Sequence, residues 1–161
     1  MGMTGCYIAL DGNVLQQLRN KTLDLLDIDE EECVTLDIDK SWQAIQFLLC
    51  KEASSGASPL GYVVPLGQRD NIFDAEPDYQ FACFLTPEQT RKAYKAIEGM
   101  SEKELRQQYD YQAMVKNNIY PIVEEDNEDD FFDYIFGNFM ELKMFYKETS
   151  QQNQGVVFYI M

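Results

Sequence analysis

Histidine is absent from this chain of 161 residues. That gap excludes every mechanism built on imidazole: the Ser-His and Cys-His dyads, the common zinc enzymes, and haem held by a proximal His. Long hydrophobic runs are missing too, since no apolar stretch approaches the roughly 18 residues of a membrane span. Positive charge is scarce, with 13 Lys and Arg against 28 Asp and Glu and a formal net charge of −15. Phosphate backbones and anionic lipid surfaces need basic clusters, so nucleic acid and membrane are excluded as partners. The four cysteines, Cys6, Cys33, Cys50 and Cys83, form no CxxC pair, which removes redox-motif and zinc-knuckle readings. They read as free thiols of a reducing compartment. The segment Met3-Thr4-Gly5-Cys6 has the look of a lipoprotein cleavage box, but no basic n-region or apolar h-region precedes it. A cytoplasmic location is expected. Neither GxSxG, a P-loop nor GxGxxG occurs, so no cofactor is expected and the chain points away from an enzyme.

What is present suits one domain over residues 1–161. Hydrophobic residues make up 45% and aromatic residues 13%, enough to build a core. Residues 3–10 read as an opening strand, followed by Asp11 as the cap of a helix carrying Val14, Leu15 and Leu18. Cys33 to Leu36 suggests a short strand. Asp39 is placed to cap a helix over 40–51 with Trp42, Ile45 and Leu49 on one stripe. Residues 53–61 are a loop, 62–66 and 79–85 read as strands, and the polar stretch from Gly67 to Pro77 lies between them. Thr86-Pro87-Glu88-Gln89 is a capping box with Pro at the first helical position, opening a helix to about Ile97. Ser101 to Glu104 is a second capping box, and Asp110 caps a further short helix. After the acidic run Glu124 to Asp130, residues 131–148 form an amphipathic helix whose Phe132, Ile135, Phe136, Phe139, Leu142 and Tyr146 recur by three or four. Val156 to Met161 closes the chain as a strand. Strands set apart from a helical block predict an α+β fold, with a small mixed or antiparallel sheet packed against several helices.

The acidic runs invite a calcium hypothesis, but an EF-hand loop needs Gly at its sixth position. Counting from Asp27 that position is Glu32, and from Asp126 it is Phe131, so no metal site is expected. Asp37 and Asp39 form an i, i+2 pair that shares a face on a strand. Trp42 is the only tryptophan, and its spacing favours the core while leaving a ligand-stacking role open. Four residues further on, Gln46 offers an orienting amide.

Several segments together resemble the YfbM-like family of bacterial proteins, a domain of unknown function (DUF 1877). They are the opening Met-Gly-Met-x-Gly, the run Leu36-Asp37-Ile38-Asp39-Lys40-Ser41-Trp42 leading into Phe47-Leu48-Leu49, and Phe84-Leu85-Thr86-Pro87-Glu88. Tyr120-Pro121 and the acidic run before the aromatic helix containing Phe145-Tyr146 complete the set. The resemblance implies an α+β domain in the bacterial cytoplasm and supplies no activity. In that family the helix after the Trp commonly carries a His at the position held here by Gln46.

Two functional readings follow. In the first, the chain is a non-enzymatic binding protein offering an acidic surface to a basic protein partner, for instance as an immunity-type neutraliser of a toxin. In the second, a small ligand or a histidine-independent reaction occupies a pocket near residues 37–46, built from Asp37, Asp39, Trp42 and Gln46. A homodimer through the aromatic stripe of 131–148 is the further expectation.

Overall fold

The computed structural model describes residues 2–71 and 80–161. Among them, four strands form one antiparallel sheet in the order β2-β1-β4-β3. The strands are β1 (Gly5–Leu10), β2 (Thr35–Asp37), β3 (Phe81–Leu85) and β4 (Gly155–Ile160). Every residue of β1 and β4 is buried. Both faces of these central strands are covered, which is why their sequences are continuous apolar runs rather than alternating ones. On one face Cys6, Ile8, Leu10, Val157 and Tyr159 meet Leu15 and Leu18 of α1 (Gly12–Arg19). The other face carries Tyr7, Ala9, Cys83, Leu85, Phe158 and Ile160. It packs against α2 (Trp42–Cys50), α3 (Pro87–Ile97) and α6 (Glu128–Gln151), with α4 (Glu102–Gln108) and α5 (Tyr111–Lys116) adding Leu105, Tyr111 and Met114 to the same core. The α+β expectation is met, and the sheet is antiparallel throughout.

Local chemistry explains where the helices start. The Thr86 hydroxyl accepts from the Gln89 N–H at 3.2 Å while the Gln89 side-chain Oε1 accepts from the Thr86 N–H at 3.0 Å, completing the capping box. Buried Asn71 fastens onto this box, donating to Gln89 Oε1 at 2.7 Å and to the Phe84 carbonyl at 2.8 Å. Ser101 and Glu104 repeat the box at α4, and Asp110 and Asn127 cap α5 and α6. Asn127 starts α6 earlier than the 131–148 expected from periodicity, placing Glu128, Asp129 and Asp130 in its first turn, where acids favour the helix dipole. Its stripe of Phe132, Ile135, Phe139, Leu142 and Tyr146 is fully buried in the chain's own core, so it is not a free face for a second copy.

Three expectations are corrected. Residues 62–66 form no strand although 63–65 are buried, because side chains take their carbonyls in place of a neighbouring strand. Tyr7 Oη donates to the Val63 carbonyl at 2.9 Å, Tyr146 Oη to the Val63 and Tyr62 carbonyls at 2.8 and 3.0 Å, and the Cys83 thiol to the Pro65 carbonyl at 3.3 Å. Asp11 occupies the cap position of α1 without bonding a helix N–H, and its carboxylate instead accepts from Gln154 Nε2 at 3.2 Å. Asp39 caps nothing, for reasons given below. The strand expected over 79–85 is seen from Phe81, and residue 79 lies outside the described residues, as does most of the loop expected from Gly67 to Pro77.

The shared Val63 carbonyl makes the two tyrosines energetically coupled. Tyr7→Phe and Tyr146→Phe should each cost about 1 kcal/mol, the usual net contribution of such a bond. The double variant should cost more than the sum, because only then does the buried Val63 oxygen lose both partners. Urea unfolding of the four proteins of this cycle measures it, and strict additivity would show that the two hydroxyls do not share the acceptor.

Candidate functional site

The segment from Asp37 to Trp42 takes its shape from one short-range bond. Asp37 Oδ1 accepts the Asp39 N–H at 2.6 Å, a local turn that competes with helix initiation. It holds Asp39 in the left-handed region, with φ of 50°, where a helix cap cannot sit. The Asp39 carboxylate is thereby turned toward α6 and accepts from Tyr134 Oη at 2.7 Å, while the Lys40 N–H donates to the same phenol oxygen at 3.2 Å. A short 3-10 turn over Asp39–Ser41 then leads into α2.

A groove of about 470 Å³ opens at this junction, lined by Asp39, Lys40, Pro121, Asp126, Asp130, Phe131 and Tyr134 among others. Three carboxylates therefore face one lysine across a floor that is partly aromatic. Burial raises the Tyr134 pKa above its ordinary value, and the bond to Asp39 and the charge of Asp39 push it further the same way. The phenol is thus a neutral donor at physiological pH.

The four expected site residues divide between surroundings. Asp37 and Asp39 are exposed and bonded to each other, with Asp39 on the groove. Trp42 is buried and does not line it. Its indole N–H donates to the Met3 carbonyl at 2.9 Å, and its ring lies 5.6 Å from that of Tyr120, so it anchors the N-terminal segment to the Tyr120-Pro121 corner. Gln46, one turn further and only 1% exposed, donates to the Ser55 carbonyl at 2.6 Å, and its Oε1 has no partner among the described residues. Sequence reasoning missed Tyr134, Asp126 and Asp130. The available signal for Tyr134 was an aromatic residue lying off the apolar stripe of α6.

The thiols offer no activated nucleophile. Burial raises the Cys83 and Cys50 pKa values, the latter against an opposing bond from the Gln46 amide, and burial with nearby carboxylates raises those of Cys6, to about 11, and Cys33. All four stay protonated at neutral pH, and all four are free. No cluster of metal-ligating side chains occurs among the described residues, and no helix among them is long and apolar enough to cross a membrane. What the groove can do chemically is accept hydrogen bonds and ion pairs from a cationic group.

Comparison with known proteins gives a family and a fold. The family model described as a domain of unknown function (DUF1877) matches residues 1–159. The crystal structure of YfbM from Escherichia coli, a protein of unknown function, superposes with a TM-score of 0.76 at 23% identity, covering 98% of this chain and 99% of that one. At that identity the likeness speaks for the fold alone. No curated protein matches the chain.

Asp39→Asn tests the coupling in the groove. The amide keeps an acceptor but removes the charge, so Tyr134 should ionise at lower pH than in the parent while burial still holds it above an ordinary tyrosine. A raised folded pKa contributes stability that is present below the unfolded value near 10 and is lost as pH rises through the folded one, so this contribution should fade at lower pH in the variant. Ultraviolet titration of tyrosinate, differenced against Tyr134→Phe, reads it directly. A Tyr134 titration unmoved by the substitution would show that Asp39 does not act on it.

Proposed function

We infer that this chain, which belongs to the DUF1877 family, is a non-enzymatic interaction protein whose acidic surface recognises a basic segment of another protein. The observation that carries the reading is the groove in which Asp39, Asp126 and Asp130 stand against a single Lys40, in a chain whose 28 acids outnumber its 13 bases. Even if every Lys and Arg were paired one to one, the excess of 15 carboxylates (28 − 13) would lack an internal cation. Among the described residues, Arg106 bridges Asp129 and Asp133 at 3.2 and 3.5 Å and Lys92 bridges Glu88 at 3.0 Å within α3, and neither cation lines the groove.

Electrostatics of this kind steer encounter and select the sign of the partner more than they fix affinity. Phe131 and Tyr134 supply the apolar and hydrogen-bonding floor that an arginine or lysine stem would need. The protonated thiols and the absence of histidine fit a surface that binds rather than reacts. Neutralisation of a basic toxin by an immunity-type protein is one concrete form of this reading.

The experiment is capture of proteins from a bacterial lysate at low and at high ionic strength, by the parent and by the triple variant Asp39→Asn, Asp126→Asn, Asp130→Asn. Basic proteins should be held at low salt and released at high salt. For any one of them the triple variant should weaken binding by about tenfold, since exposed charges contribute roughly 0.2–1 kcal/mol each. Capture indifferent both to salt and to the three substitutions would end the reading.

A further inference from the structure

Segment 34–40 runs along α6 in the opposite chain direction. Asp39 and Lys40 line the acidic groove with residues 126–134, while Val34, Thr35 and Leu36 line a second groove of about 360 Å³ with Glu141, Met144, Phe145, Lys147, Glu148 and Gln151. The two grooves are successive stretches of one seam. At the second one the wall opposite α6 is β2, an outer strand of the sheet.

The register determines which main-chain groups of β2 are spoken for. Ala9 N–H bonds the Val34 carbonyl at 2.9 Å and Ile38 N–H bonds the Gly5 carbonyl at 3.0 Å, and Leu36 pairs with Tyr7 between them. In an antiparallel ladder the bonded residues alternate, so 34, 36 and 38 face β1. The N–H and C=O of Thr35 and Asp37 therefore point away from the sheet, and among the described residues they have no main-chain partner. Both residues are exposed. Beside this open edge lies Met144, 68% exposed on α6, with the half-buried Val34 and Leu36 next to it.

We propose that β2 and the adjoining face of α6 accept an extended basic segment of a partner protein as a fifth strand of the sheet. The proposal rests on the acidic-surface reading above and gives it a place and a binding mode. An added strand would bond Thr35 and Asp37 through its backbone, as in other cases of strand addition to an exposed edge. Its side chains on the α6 side would lie over Met144, flanked by Glu141 and Glu148. Those two acids are seven residues apart on the helix, about 10 Å along its axis. Lysines at i and i+4 of a strand are about 13 Å apart, within reach of both acids, and an apolar residue at i+2 falls between them on Met144. Lys147 stands beside Glu148 on the same rim, so the lysine facing Glu141 is the less opposed of the two. Charge decides between occupants. A second copy of this chain would bring two bodies of net charge −15 together at edges flanked by Glu141 and Glu148, whereas a basic strand is attracted by all of them.

The test uses the full chain, isotope-labelled for nuclear magnetic resonance, and synthetic peptides of about eight residues with Lys at i and i+4, Val at i+2 and i+6, and Thr at the positions between. Addition of the peptide should perturb the Thr35 and Asp37 amides and the Met144 methyl, and should slow hydrogen exchange at those two amides. N-methylation of one alternate set of peptide amides should abolish binding while methylation of the other set is tolerated, because only one set can face β2. Met144→Asp, a change at an exposed position that leaves the core untouched, should weaken binding by about tenfold. The same peptide with Glu in place of both Lys should not bind. Perturbations confined to residues 24–32 or 124–133, without protection at Thr35 and Asp37, would overturn strand addition and leave the acidic-surface reading standing. Failure of every basic peptide, together with failure of the lysate experiment, would overturn both. Self-association of the free protein, blocked by Met144→Asp in sedimentation velocity, would assign the edge to a second copy instead.

Discussion

The rest of the molecule depends on how α6 is seated. Five of its side chains, from Phe132 to Tyr146, are fully buried in the main core, and that packing fixes which way the helix faces. Once it is set, Tyr134 and Asp130 lie toward the turn at Asp39, and Glu141, Met144 and Glu148 lie toward β2. The polar seam is therefore a by-product of core packing. Tyr146 shows the linkage in a single residue: its ring touches Tyr7 and Phe145 in the core while its hydroxyl holds the backbone at Tyr62 and Val63. A cavity made beneath α6 would move the outer surface with it.

The charge works on a different scale from the packing. Carboxylates at the start of α6 complement its dipole, so part of the acidic run has a structural use. The remaining excess raises self-repulsion in the folded state, a cost that a cationic partner would relieve. Binding would then be strongest at low ionic strength, where screening is weakest.

The parts legible in the sequence were those governed by neighbours along the chain. Both capping boxes, the Asp110 cap and the stripe of α6 follow from spacing alone, and the α+β class follows from their order. The parts that were hidden depend on bonds between distant residues. Nothing near Val63 indicates that Tyr7 and Tyr146 will take its carbonyl, so an apolar run that resembles a strand is held by side chains instead. Asp39 is not a cap because a local turn forms first: Asp37 takes the Asp39 N–H, and the carboxylate expected to accept a helix N–H accepts from Tyr134 and becomes a groove wall. For the candidate site, Asp37 and Asp39 were visible as an acidic pair. Their partner Tyr134 is separated from Asp39 by 95 residues and could not be assigned without the fold. Trp42 and Gln46 were legible as one face of α2, but burial gives that face to the interior.

The position of β4 bears on how the protein is made. Residues 155–160 lie between β1 and β3 at the centre of the sheet, and Thr4 and Met161 exchange main-chain bonds at 2.8 and 3.1 Å. Until those residues leave the ribosome, β1 and β3 have no common neighbour, and the sheet cannot close. Helices with their own caps can form during synthesis, yet the central strand arrives after everything it must join. Such long-range closure is slow and leaves apolar strand edges uncovered in the meantime. For this chain, the nascent state is the one that most needs protection from aggregation.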